Sequence, residues 1–161
     1  MMTNKSPGTT PAERELTITR IFDAPRELVF KVWTDPKHLA QWWGPQYFTN
    51  PVCEIDLRPG GALYIQMTDP DGVAYPVKGT FREVVPPERL VFTTGSFEDE
   101  AGIPQLEGLN TVTFEDDHGK TKLTLHATIL KATPEVAWAL AGMKDGWTES
   151  LEKLVEALAR A

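Results

Sequence analysis

A chain of 161 residues has room for one domain with a sizeable core, and its 41% hydrophobic and 24% charged residues are ordinary for a globular protein. Twenty-three acidic against 16 basic side chains give a formal charge of −7, which repels phosphate backbones and anionic membrane surfaces; nucleic-acid and membrane partners are disfavoured. The one cysteine, Cys53, excludes an intrachain disulfide and a cysteine-rich zinc site.

Residues 1–13 are polar, rich in Thr, Ser, Pro and Gly, and lack the apolar run of a signal peptide. They read as a disordered lead to a single domain over residues 14–160. No stretch approaches the ~20 apolar residues that cross a bilayer, so a cytoplasmic location is expected.

From Glu15 to Phe22 the residues alternate, with Leu16, Ile18 and Phe22 on the parity of a buried face and Arg20 sharing it near the end. Asp23-Ala24-Pro25 has the chemistry of a helix start, with Asp23 the expected N-cap. Pro36 disfavours helix at Asp35 and suits a first turn itself, so a second short helix begins there and ends at Gly44-Pro45. Strands are then expected over residues 52–57, 62–68, 77–85, 90–94, 109–114 and 121–128. The turns between them include Asp69-Pro70-Asp71-Gly72 and Asp116-Asp117-His118-Gly119-Lys120. Between Gly95 and Gly108 the expectation is a longer acidic loop.

Thr133 and Pro134 open the last element as N-cap and first helical residue. Val136, Leu140, Met143, Trp147, Leu151, Leu154 and Leu158 follow at spacings of three and four, one apolar stripe on a helix of roughly 25 residues. A stripe that long needs an equally long apolar surface to cover it, and six neighbouring strands supply one. The fold class is therefore α+β, a bent antiparallel sheet around one long helix.

Residues with chemistry to offer are few. His38 falls on a short helix, His118 in a turn and His126 on the outer parity of its strand, so no metal site or cofactor is expected. Cys53 shares the parity of Ile55 and Leu57, where a thiol is an inert small hydrophobe. Asp56 and Arg58 point outward, free to pair with neighbours, and Pro59-Gly60-Gly61 makes a hairpin rather than a phosphate loop. What remains is apolar. Trp42 and Trp43 are either a core plug or one wall of a pocket mouth. Gly142 and Gly146, four residues apart on the long helix, mark close backbone approach or vacant space, with Met143 an adaptable lining beside it.

Several of these segments carry a resemblance. Ile18-Thr19-Arg20-Ile21-Phe22-Asp23-Ala24-Pro25, Trp33-Thr34-Asp35-Pro36 and Trp42-Trp43-Gly44-Pro45 resemble the opening of the heat-shock-protein-90 ATPase activator homologue domains. So do Asp56-Leu57-Arg58-Pro59-Gly60-Gly61, Pro86-Pro87-Glu88-Arg89-Leu90-Val91-Phe92 and Gly146-Trp147-Thr148-Glu149-Ser150-Leu151, in order along residues 14–159. The resemblance implies the helix-grip fold of the START-like, Bet-v-type (SRPBCC) superfamily. In that fold a sheet of six or seven strands, with two short helices after the first, wraps a long C-terminal helix. Relatives of this kind bind lipids, hormones or polyketides, and a few cyclise polyketides.

The expected function is binding or carrying a small hydrophobic molecule between sheet and helix. Inward parity gives Trp42, Trp43, Cys53, Ile55, Ile65, Met67, Phe81, Phe92, Met143, Gly146 and Trp147 as the lining, with Thr94 or Arg20 as polar groups. The alternatives are a co-chaperone-like or homodimeric interaction protein, using the acidic loop and Trp138, and a polyketide cyclase-like enzyme. The enzyme would require an acid or base inside the cavity.

Overall fold

The computed structural model describes residues 14–161; the expected N-terminal lead lies outside the described residues. Strand β1 (Glu15–Phe22) is followed by helices α1 (Arg26–Thr34) and α2 (Pro36–Trp42). Six strands come next: β2 (Thr49–Ile55), β3 (Ala62–Thr68), β4 (Ala74–Val85), β5 (Arg89–Glu98), β6 (Pro104–Asp117) and β7 (Lys120–Ala132). A 3-10 turn (Pro134–Val136) then leads to α3 (Ala137–Ala141) and α4 (Met143–Arg160).

All seven strands form one antiparallel sheet in the order β1-β7-β6-β5-β4-β3-β2. Six consecutive strands thus meander as hairpins, and β1 closes against the last of them. The α+β helix-grip arrangement follows: the concave face, carrying Ile65, Phe81, Leu90, Phe92, Val112 and Leu125, closes over α4 and the two short helices. Leu151, Leu154 and Ala157 of α4 are all 0% exposed there. No helix among the described residues is long and apolar enough to cross a membrane.

Local chemistry explains most boundaries. Asp35 caps α2, its carboxylate accepting the Lys37 N–H at 2.9 Å, with Pro36 in the first turn. The start of α1 differs from expectation: its N-cap is Pro25, without a side-chain cap, so Asp23 does not hold that end. The expected loop between Gly95 and Gly108 is instead a hairpin, because the Asp99 carboxylate accepts the N–H groups of Ala101 and Ile103, both at 2.9 Å. Asp69 does the same for Asp71 and Val73 in the β3–β4 turn, so Asp-x-x-Gly builds both connections, with Gly72 and Gly102 at φ 85° and 80°. Asp56 and Arg58, expected outward on a strand, lie just past the end of β2 and pair with each other at 2.9 Å.

The long C-terminal helix is not continuous. Gly142 separates the five residues of α3 from the eighteen of α4, although the Gly142 N–H still reaches Trp138 O and the Gly146 N–H reaches Gly142 O. Thr133 occupies the N-cap position of the turn before α3, yet its hydroxyl caps nothing.

Cys53 sits half-buried on β2 against the core, and desolvation, helped by neighbouring Glu54, pushes its thiol up to about 11. Two units above the ordinary thiol value means a thiolate fraction roughly a hundredfold lower. Labelling by iodoacetamide at pH 8 is expected to be slower than in denaturant by that factor or more. Equal rates would place the thiol in water. With its folded-state value raised from 9 to about 11, the thiol keeps its contribution to stability below pH 9 and loses it as pH climbs toward 11.

Candidate functional site

On the neighbouring strands β5 and β6, inward side-chain size falls from one end of the concave face toward the other. On β5 the inward row runs Leu90, Phe92, Thr94, Ser96; on β6 it runs Phe114, Val112, Asn110, Gly108. Facing them, Leu154 and Leu151 of α4 lie in the closed core, while Ser150 and Gly146 of α4 and Gly142 just before it border the cavity beside the larger Met143 and Trp147. Where bulky residues meet bulky residues the interior is closed. Where small meets small, a cavity of about 350 Å³ is left.

Three groups of residues wall it. The loop after α2 contributes Trp43, Gly44, Pro45 and Phe48, and the sheet contributes Met67, Tyr75, Val77, Thr94, Asn110 and Ile129. α3 and α4 contribute Trp138, Met143 and Trp147, with Gly142 and Gly146 recessed between them. Trp43 and Trp147 meet edge to face at 5.2 Å, and both touch the aromatic cluster of Trp33, Trp42 and Phe92, so they form the floor between cavity and core. At the mouth a chain of rings runs Phe48, Tyr75, Phe97, Trp138, with centroids 5.4–6.2 Å apart. Phe97 takes φ 56° to reach its place, and Trp138 remains 65% exposed.

The loop wall is tied to α4 by three of its side chains. Glu149 Oε1 accepts the Gln46 N–H at 2.9 Å, Ser150 Oγ lies 2.9 Å from Gly44 O, and Lys153 Nζ donates to the carbonyls of Gly44, Pro45 and Phe48 at 3.1–3.4 Å. Desolvation lowers the Lys153 ammonium below its ordinary value, partly offset by Glu149 and Glu156. Replacing Lys153 with methionine keeps the stem but strips these donors. It is expected to cost of order 1 kcal/mol and to raise hydrogen exchange at Gln46–Phe48. Unchanged exchange in that loop would show that the contact does not hold the wall.

Five of the eleven residues expected to line a cavity lie on it: Trp43, Met67, Met143, Gly146 and Trp147, along with Thr94. The other six do not. Trp42 is 0% exposed behind Trp43, its Nε1 donating to Val32 O at 3.1 Å, which makes it the plug. Ile65, Phe81 and Phe92 point inward as expected but at the bulky end, under α4; Cys53 and Ile55 pack from β2 against the same core. Arg20 sits beside the Phe22 ring, 5.8 Å away, and not in the cavity. Parity fixes which face a side chain takes, not how far along the strand it stands. Asn110 also lies on the cavity, outside the expected lining; it shares the inward parity of Val112 and Phe114, and an amide on a core row is a signal in itself.

No lining residue among those described carries a charge; Tyr75 alone titrates there, its phenol pushed up by desolvation and by Asp69, to which it donates at 3.3 Å. No cluster of His, Cys, Asp or Glu among the described residues is arranged to hold a metal. The arrangement is suited to enclosing a molecule rather than to moving protons.

Comparison with known proteins agrees with this architecture. No curated protein matches the chain significantly. Solved structures do. A protein from Arthrobacter aurescens, determined by solution NMR, aligns at TM-score 0.79 with 28% identity, covering 95% of this chain and 90% of its own. The crystal structure of an AHSA1 protein from Silicibacter pomeroyi gives TM-score 0.74 and 30% identity over 90% of this chain and 97% of the other. A protein from Nitrosomonas europaea gives TM-score 0.74 and 29% identity, covering 92% and 96%. The family model described as activator of Hsp90 ATPase homolog 1-like protein matches residues 23–159, which hold six of the seven strands, the helices up to the last turn of α4 and every residue that lines the cavity; the chain belongs to that family.

Proposed function

We propose that the protein binds and carries a small, largely apolar molecule in the cavity between the small-residue end of the sheet and helices α3 and α4. The observation that carries this reading is the paired size gradient, which leaves about 350 Å³ lined by aromatic and thioether side chains. That volume lies within the ~300–1,000 Å³ of small-molecule sites. Without charged lining groups, the free-energy gain on binding comes from removing apolar surface from water. The alternative reading as an interaction protein drew on Trp138, but its ring leans on Phe97 at the cavity mouth. Its exposure therefore belongs with an entrance.

Native mass spectrometry of the purified protein, followed by thermal melts with a panel of neutral aromatic and aliphatic compounds, tests the proposal. A co-purified mass, or a saturable rise in melting temperature, is expected. A bare protein whose melting temperature no member of the panel shifts would sink it.

A further inference from the structure

The cavity holds one buried polar side chain whose bonding is incomplete. Asn110 is only 4% exposed and stands on the inward row of β6. Its amide nitrogen donates to Phe92 O at 3.3 Å and to Thr94 Oγ1 at 3.2 Å, which uses both amide protons. Because a backbone carbonyl can only accept, the Phe92 contact fixes which amide atom is nitrogen. Asn110 Oδ1 then accepts from no group among the described residues, yet it is not a sealed atom, so it opens onto the cavity its residue lines. Thr94 Oγ1, having accepted from Asn110, keeps its own proton to give. Gly108, paired with Thr94 across the strands, makes the room: a Cβ there would press to 3.3 Å from that hydroxyl. An acceptor and a donor thus stand side by side in a largely apolar chamber.

Resting on the reading of the cavity as a binding site, the geometry points to a ligand that is an uncharged aromatic alcohol or phenol. Its hydroxyl gives its proton to Asn110 Oδ1 and accepts from Thr94 Oγ–H, while its ring lies along Trp43 and Trp147. A hydroxyl is the smallest group that donates and accepts at one atom, which the adjacent pair requires. A carboxylate satisfies only the donor, leaves Asn110 Oδ1 facing a negative charge, and finds no cation in the lining to offset its desolvation. A bare hydrocarbon leaves the acceptor unpaired on binding.

Equilibrium dialysis of the intact protein with naphthalene, 2-naphthol and 2-naphthoate at pH 7 separates the cases. A merely apolar chamber favours naphthalene, the least water-soluble of the three. The proposal instead expects 2-naphthol to bind about tenfold tighter than naphthalene, the gain of one to two well-formed hydrogen bonds, with naphthoate weakest. Asn110→Leu should abolish that preference while retaining naphthalene. Thr94→Val, which keeps side-chain shape, should lower it severalfold, and holds the test open if the Asn110 variant does not fold. Naphthalene binding as tightly as naphthol, naphthoate binding best, or a preference that survives both substitutions would overturn the assignment and leave the cavity reading standing. Failure of all three compounds to bind would remove both.

Discussion

Truncation of Leu154 to alanine is expected to destabilise the protein by about 2–5 kcal/mol, whereas Met143→Ala on the same helix is expected to cost less than about 1 kcal/mol. Both substitutions remove a comparable aliphatic volume. Leu154 is 0% exposed at the bulky end, inside a shell that has no free space to collapse into, so the excision leaves a new void. Met143 already borders open volume, and its loss enlarges a cavity that exists. For a domain of this length the first change corresponds to a fall in melting temperature of roughly 5–20 °C. Chemical denaturation of the two variants side by side checks the contrast. Equal costs would mean that α4 is packed uniformly along its length and that the size gradient has no energetic meaning.

Gly146→Leu is expected to leave the protein folded and to abolish its response to ligand. A Cβ at Gly146 would meet only Pro45 Cγ, at 3.8 Å, which is ordinary contact, and the longer side chain extends into the cavity. Leucine also improves helix propensity by somewhat under ~1 kcal/mol. Ligand at about a hundred times its dissociation constant stabilises the wild type by ~2.7 kcal/mol, a melting shift of roughly 5–10 °C at this size. The variant should show none of that shift. If it melts well below the unliganded wild type, the glycine is required for close packing of α4 on the loop wall. If it binds 2-naphthol like the wild type, ligand lies elsewhere.

Local signals in the sequence were enough to place most elements. β1 and β3 begin and end where the alternation does, and Asp35-Pro36 opens α2 by its own chemistry. The same signal is legible in one place and not in another: Asp69-Pro70-Asp71-Gly72 announces a hairpin through its proline, while Asp99-Glu100-Ala101-Gly102 folds identically without one. The break at Gly142 was visible as a glycine but not as an interruption, because the apolar stripe runs through it unchanged. For the site, parity identified most inward faces, with Leu57, exposed beyond the end of β2, an exception, and could not separate core from cavity. That separation depends on which rows of the sheet lie opposite Gly146 and which opposite Leu154, a matter of tertiary register that no local pattern encodes. Asn110 was within reach of the same parity argument and needed only to be asked about as a polar residue on an apolar row.

The position of β1 sets the order in which the sheet can be assembled. Strands β2 to β6 each pair with their immediate successor, so these hairpins can close as soon as they leave the ribosome. β1 pairs only with β7, the last strand made; the His126–Glu15 contact between them spans 111 residues. At synthesis rates of ~5–20 residues per second, that separation is a wait on the order of ten seconds. Throughout it Leu16, Ile18 and Phe22 have neither a neighbouring strand nor α4 to cover them. The interval in which a nascent chain is most open to capture by a chaperone or by another copy is therefore written into the strand order, and a permuted chain that joins β1 after β7 would shorten it to the length of one hairpin.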